Sequence, residues 1–226
     1  MPLKILALAD NVSPALYDYF QPERWKDVDL ILSCGDLPPG YLDFVCTELG
    51  VPLVYVRGNH DSGYSPSEYD GCLNAHGRIL TVAGVKIAGF EGSQRYNGRP
   101  HQFSETEMRH IVLRSRFRAL VHGTPQIVLT HAPPAGIHDG TDVCHRGFQC
   151  FRDLIDAWRP SFFVHGHVHT HYGREMSTSV GETTIVNAFP FQTFQIESAQ
   201  PDTSRRVTLR RPGHMSGTLG TASKIE

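Results

Sequence analysis

Gly58-Asn59-His60-Asp61 decides how this chain is read, together with Asp10 and Gly35-Asp36 upstream and Thr130-His131 and Gly166-His167-Val168-His169 downstream. Each polar group follows a short apolar run: residues 3–9 precede Asp10, 30–33 precede Gly35, 53–56 precede Gly58, 127–129 precede His131 and 162–164 precede Gly166. Runs of this length, rich in Ile, Leu and Val, have the pattern of buried strands. Five strands would each deliver a polar side chain at or just beyond a carboxyl end, where open α/β sheets bind ligands.

Helical patterns alternate with these strands. Ser13-Pro14 predicts a capped short helix over 15–20, and residues 42–49, closed by Gly50, predict another. Residues 81–90 predict a β-hairpin turning at Gly84. Ser104 and Glu107 have capping-box spacing and open a helix to about His122, where Gly123 ends it. A helix over 149–158 stops at Arg159-Pro160, and 183–187 and 192–197 predict strands returning to the sheet. The chain divides into one α/β domain over 1–199 and a polar tail over 200–226, expected to be partly mobile, with 207–209 as an edge-strand candidate.

Composition excludes several classes. With 226 residues, 40% hydrophobic and 19% charged, the chain can build one well-buried soluble domain. A formal net charge of -2 gives no electrostatic reason for a nucleic-acid or anionic-membrane partner. The N-terminal apolar run is broken by Asp10 and lacks a cleavage site, and no stretch approaches the roughly 20 apolar residues that span a bilayer. Five scattered cysteines without a CxxC pair argue against a disulfide framework and for a reduced, cytoplasmic protein, with Cys34 a plain buried thiol.

The polar residues suit a pair of divalent ions. Two ions about 3.5–4 Å apart stabilise both the attacking and the leaving oxygen of a phosphoryl displacement. They need a bridging ligand, which a carboxylate provides and an imidazole or amide does not. Asp36 is the natural bridge, because Gly35 lets the backbone turn closely at the strand end. Asn59 offers a carbonyl oxygen, and His131, His167 and His169 offer imidazole nitrogens. This O/N set suits Mn, Fe, Zn, Ni or Co better than Ca or Mg, and the absence of a nearby thiolate argues against structural zinc.

In these motifs the chain resembles the calcineurin-like metallophosphoesterase superfamily, and its spacer segments over 89–96, 102–108 and 130–147 look like the small bacterial and archaeal branch. The resemblance covers residues 6 to about 187. It implies a four-layer α/β/β/α sandwich with the metals at one end. One metal would take Asp36, Asn59, His131 and His167, and the other Asp10, Asp36 and His169. It also implies that His60 protonates the leaving group, that Asp61 orients His60 by a hydrogen bond, and that a metal-bound hydroxide attacks. General acid catalysis of this kind is typically worth about 10²–10⁴-fold.

One position departs from the family pattern. The first motif is Asp-x-His in the family but Asp10-Asn11-Val12 here. The first metal would keep Asp10, Asp36 and His169, with Asn11 the candidate to fill the gap, so its occupancy is expected to be weaker. Arg95, Tyr96 and His145 are candidate substrate contacts in loops. His165 and His171 alternate onto the face of the ligands without matching a motif position, so they are read as structural. His101, His110 and His122 are read as ordinary helix or loop residues.

The functional expectation is a metal-dependent phosphoesterase acting on a small phosphoester, slightly favouring diesters, with up to two transition ions per chain. The diester preference follows from charge, since a dianionic monoester benefits most from two fully held cations. The alternatives are a phosphomonoesterase and a non-catalytic scaffold like the retromer subunit of this fold. A nuclease finds no support without a basic stripe.

Overall fold

The computed structural model describes residues 2–169 and 176–197. In chain order its strands are β1 (Pro2–Leu8), β2 (Leu30–Ser33), β3 (Leu53–Tyr55), β4 (Leu73–Asn74), β5 (Ile79–Val82), β6 (Val85–Phe90), β7 (Ser93–Gln94), β8 (Gln102–Phe103), β9 (Ile127–Thr130), β10 (Phe162–His165), β11 (Ser177–Val180), β12 (Thr183–Asn187) and β13 (Phe191–Glu197). The helices are α1 (Pro22–Trp25), α2 (Pro39–Leu49), α3 (Glu105–His122) and α4 (Gln149–Trp158).

Two sheets carry the fold. The first has the order β13-β1-β2-β3-β4, and the second β11-β12-β10-β9-β6-β5. β1 to β4 are parallel, as are β6, β9, β10 and β12, while β13, β11 and β5 pair antiparallel at the margins. Period-2 alternation then divides the side chains. Ile5, Ala7, Leu30, Leu32 and Val54 of the first sheet meet Ile87, Ile127, Leu129 and Val164 of the second in a core between the sheets. Leu6, Leu8, Ile31 and Leu53 point the other way, under Tyr41, Leu42 and Val45 of α2. On the outer face of the second sheet, Ala88, Val128, Phe163 and Ile185 pack against Met108 and Val112 of α3 and Phe151 and Leu154 of α4. The layers therefore run helix, sheet, sheet, helix. Both faces of each central strand are buried, which is why those strands are continuous apolar runs rather than alternating ones.

Local signals set most boundaries. The N–H of Gly50, at φ 64°, returns to the Cys46 carbonyl at 2.9 Å and closes α2. Ser104 and Glu107 form the reciprocal capping box, with Glu107 N–H donating to Ser104 Oγ at 3.3 Å and Ser104 N–H to Glu107 Oε2 at 2.7 Å. Ala83 and Gly84, both left-handed, turn β5 into β6 as a type I′ hairpin requires.

The helix expected over 15–20 is corrected to a 3₁₀ turn at Pro14–Leu16. Ser13 is buried and extended and makes no side-chain cap, and only Leu16 of the turn enters the core. A single anchored side chain does not hold a helix face, and Pro22 restarts the chain as α1. The two-residue strands β4, β7 and β8 lie below the length at which periodicity speaks, and β11, Ser-Thr-Ser-Val at the sheet margin, has no apolar run to mark it. The strand candidate at 207–209, the tail over 200–226 and His171 lie outside the described residues.

The carboxyl ends of β1, β2 and β3 come together at Gly35, whose carbonyl accepts the Asp10 N–H at 3.1 Å and whose Cα packs on the chain after β3. Gly35 has φ 95°, and a Cβ there would lie 2.7 Å from the Arg57 carbonyl carbon and against the Gly58 amide. Gly35→Ala is therefore expected to cost about 3 kcal/mol or more from combined left-handed strain and overpacking. Urea unfolding checks this, and a wild-type midpoint would show that the strand ends can separate.

Candidate metal centre

Three strand-end residues, Asp10, Asp36 and His167, have left-handed backbones with φ of 62°, 56° and 67°. Each costs about 1–2 kcal/mol for a residue with a Cβ, and such strain concentrates at functional sites. The turn takes each side chain out of strand alternation and directs it into a cavity of about 190 Å³ at the meeting edges of the two sheets. Asp10, Asp36, His60, His167 and His169 line it. A second lobe beside it is also lined by Asp10, Asp36 and His60, with Asn11, Val12 and Tyr64.

The polar contacts show what the cavity floor can hold. His131 is fully buried, and its Nδ1 lies 2.8 Å from the Cys34 carbonyl oxygen, so Nδ1 carries the proton that is donated. Its Nε2 faces Asn59 Oδ1 at 2.9 Å and Asp36 Oδ2 at 3.4 Å. The Asn59 amide is oriented by its Nδ2–H, which donates to the Tyr96 hydroxyl at 3.0 Å. Three electron-pair donors thus converge without a proton to share unless the imidazole is charged. Burial opposes charging His131, yet the carboxylates of Asp36 and Asp10 outweigh it and hold its pKa above the ordinary value. A divalent cation satisfies the same three groups. Asp36, His131 and His167 each place a ligand atom within 4.8 Å of the others.

His167 donates Nε2–H to the Cys144 carbonyl at 2.7 Å, which leaves Nδ1 as its electron-pair donor. Burial, reinforced by His131, pushes His167 down to about 3, so the ring is neutral as a ligand must be. Its backbone N–H donates to Asp10 Oδ2 at 2.9 Å, joining the ends of the two sheets. Asp10 Oδ1 lies 3.7 Å from His169 Nε2. Burial pushes the Asp10 carboxyl up, but the His169 contact and the charge of His131 leave it below the usual carboxylate range. His169 is held above its ordinary value by Asp10, and its exposed ring stacks on Phe189 at 4.6 Å.

Among the described residues Asp61 makes no hydrogen bond to the His60 side chain. Its buried Oδ2 accepts the backbone N–H of Gly58 at 2.7 Å and of Asp36 at 2.9 Å. The carboxylate therefore ties the β3 loop to the β2 loop, and burial raises its pKa. The His60 backbone N–H donates to Asp36 Oδ1 at 2.8 Å while its side chain lines both lobes. Gly58 leaves room for this, because a Cβ there would strike the Asp36 carboxylate. Val12 is half-buried, packs against the α2 layer and lines the second lobe beside the exposed Asn11.

The substrate candidates divide. Tyr96 sits at the site through Asn59, and His145 lines the cavity with its ring 5.2 Å from that of His167. Arg95 instead forks onto Glu107 at 2.8 and 2.9 Å, at the start of α3. His165 is fully buried, with Nε2 2.9 Å from His138 Nδ1, and does not line the cavity. His110 and His122 are exposed on α3, and His101 pairs with Glu91 at 3.2 Å. The expectation of no nearby thiol is corrected, since Cys144 lines the cavity beside His145. Its adjacency to His145 in sequence was the available signal, but only the loop's course brings it beside Asp10, Asp36 and His167. The Cys34 thiol is buried, and desolvation pushes it well above the usual range.

The family pattern of calcineurin-like phosphoesterases matches residues 4–171, and the chain belongs to that family. It is accordingly a phosphoric ester hydrolase by class, in a family that is metal-dependent. Among solved structures it is similar to TT1561 of Thermus thermophilus, at 16% identity over 83% of this chain and 89% of that one, with a TM-score of 0.57. It is also similar to the phosphopantetheinyl hydrolase PptH from Mycobacterium tuberculosis, at 14% identity over 82% and 88% of the two chains, with a TM-score of 0.54. Both likenesses are of fold. No curated protein matches the chain.

Asp61→Ala leaves two backbone N–H groups without their acceptor, and is expected to destabilise the fold by roughly 3 kcal/mol and to lower metal content. Denaturation and elemental analysis check both. A variant with wild-type stability and metal that lost only hydrolysis would return Asp61 to the role of orienting His60.

Proposed function

We propose that the chain hydrolyses a small phosphoester, a diester in preference to a monoester, at a pair of divalent transition ions. The convergence of His131 Nε2, Asn59 Oδ1 and Asp36 Oδ2 carries this reading, because one divalent cation among them satisfies all three donors. Asp36, Asn59, His131 and His167 hold one ion, and Asp10, Asp36 and His169 hold the other. Mn, Fe, Zn, Ni and Co suit these donors. The ions supply an activated water and neutralise phosphoryl charge. His60, on the wall shared by both lobes, delivers the proton to the leaving group, while Tyr96 and His145 form the rim that meets the substrate.

Val12 supports the diester preference. It places an aliphatic side chain beside Asp10 and Asp36 in the second lobe, which leaves the first ion with fewer protein donors. A monoanionic diester makes the smaller demand on such a pair. Five unpaired cysteines support a reduced, cytoplasmic setting. Among the described residues no helix is long and apolar enough to cross a membrane.

Elemental analysis paired with hydrolysis of aryl diesters and aryl monoesters across Mn, Ni, Co, Zn and Mg tests the reading. In the same assay His60→Ala is expected to keep its metal and lose about 10²–10⁴-fold in rate, with a smaller loss for good leaving groups. Equal losses for good and poor leaving groups would assign His60 to electrostatics instead. Stoichiometric metal without turnover under any condition would favour a scaffold.

Val12→His returns an imidazole to the wall beside Asp10. The folded variant is expected to bind the first ion more tightly and to gain monoesterase relative to diesterase activity. Titration calorimetry with unchanged affinity and stoichiometry would mean that Asn11 already serves that position or that residue 12 does not reach the ion.

A further inference from the structure

We propose that Asp142, Cys144 and His145 form a further cation site, separate from the paired ions, for a thiophilic divalent ion of the zinc type at the cavity mouth. Their ligand atoms all lie within 4.8 Å of one another. His145 Nδ1 stands 3.0 Å from each Asp142 oxygen. Zn–N and Zn–O bonds of about 2.0–2.1 Å put tetrahedral ligands roughly 3.3 Å apart, so an ion replaces the proton shared by His145 and Asp142 with little movement of that pair, and the Cys144 sulfur closes on it. Thiolate, imidazole and carboxylate together select zinc or cobalt over the harder Mg and Ca.

The loop that carries the triad is braced before any ion arrives. Pro134 and Phe148 pair at its base, Gly147 N–H donates to Asp139 Oδ2 at 3.1 Å, and Gly140 N–H to the His145 carbonyl at 2.9 Å. Asp142 Oδ1 accepts the N–H groups of Cys144 at 3.0 Å and His145 at 3.1 Å, which fixes the three residues relative to one another. Cys144 and His145 also line the cavity that holds Asp10 and Asp36. Three protein ligands leave the fourth position to water, the form of an open zinc site rather than a closed structural one. On binding, the Cys144 thiol gives its proton to water and the sulfur ligates as thiolate. The assignment does not depend on the hydrolytic reading.

Cobalt(II) titration of the metal-free full chain tests it, because a thiolate ligand produces a sulfur-to-cobalt charge-transfer absorption that carboxylate and imidazole ligands do not. The wild type is expected to show this band, and Cys144→Ser to lack it. Asp142→Asn and His145→Gln should each weaken the cobalt affinity read from the band by about tenfold or more. Asp36→Ala, which removes the bridge of the paired ions, should keep the band. The site is overturned if saturating cobalt gives no thiolate band, if the band survives in Cys144→Ser, if it vanishes in Asp36→Ala, or if Asp142→Asn and His145→Gln leave the affinity unchanged. Should Cys144→Ser fail to fold, alkylation of the wild type read by peptide mass spectrometry serves instead. Zinc is expected to protect Cys144, and equal labelling with and without zinc would overturn the proposal.

Discussion

Two carboxylates that share one cavity floor, Asp10 and Asp36, set the terms for the rest of the structure. Their side chains are 3% and 8% exposed, so solvent screens their charges poorly. Burying such charges is costly unless they are paired. The fold surrounds them with His131, His167 and His169, and fixes the first two rings from behind through main-chain carbonyls. Cys34 holds His131 and Cys144 holds His167. These imidazoles are thereby oriented as electron-pair donors toward an anionic floor, a donor set that suits a cation.

The same constraint reaches into the backbone. For Asp10 and Asp36 to leave their strands and enter the cavity, the chain takes left-handed conformations that ordinary residues avoid. Interactions nearby offset that strain. Asp61 clamps the amides of Asp36 and Gly58, the Asp36 carboxylate accepts the His60 amide, and Asp10 accepts the His167 amide from the other sheet. Each carboxylate of the cavity is therefore a tie between loops as well as a buried charge. Stability and chemistry are coupled at these positions, and a substitution that removes a charge also releases a strand end.

The cavity has two walls of different origin. One is made by the strand ends of both sheets, whose positions follow from close-packed apolar cores above and below. The other is the loop between β9 and α4, which closes on itself at Pro134 and Phe148 and carries Cys144 and His145 over the opening. Rigid strand ends suit ligands that must be held in place, and a loop suits the contacts that vary with substrate.

Sequence alone was sufficient for the central strands, because residues buried on both faces leave uninterrupted apolar runs, and for α3, because Ser104 and Glu107 cap it locally. It was also sufficient to pick out the polar residues that follow those runs, since a strand end followed by Asp, Asn or His is a local pattern. It failed at Pro14–Leu16, where a cap signal was overruled because one buried Leu16 cannot anchor a helix face. Tertiary structure alone decided where the side chains go once alternation stops. The left-handed turn at His167 separates it from His165, which lies buried against His138, and Asp61 turns its carboxylate to the amides of Asp36 and Gly58. Arg95 is claimed by Glu107, and Cys144 reaches the cavity through a loop that closes 14 residues apart in sequence, from Pro134 to Phe148. Those outcomes depend on contacts between segments distant along the chain, which residue spacing does not encode.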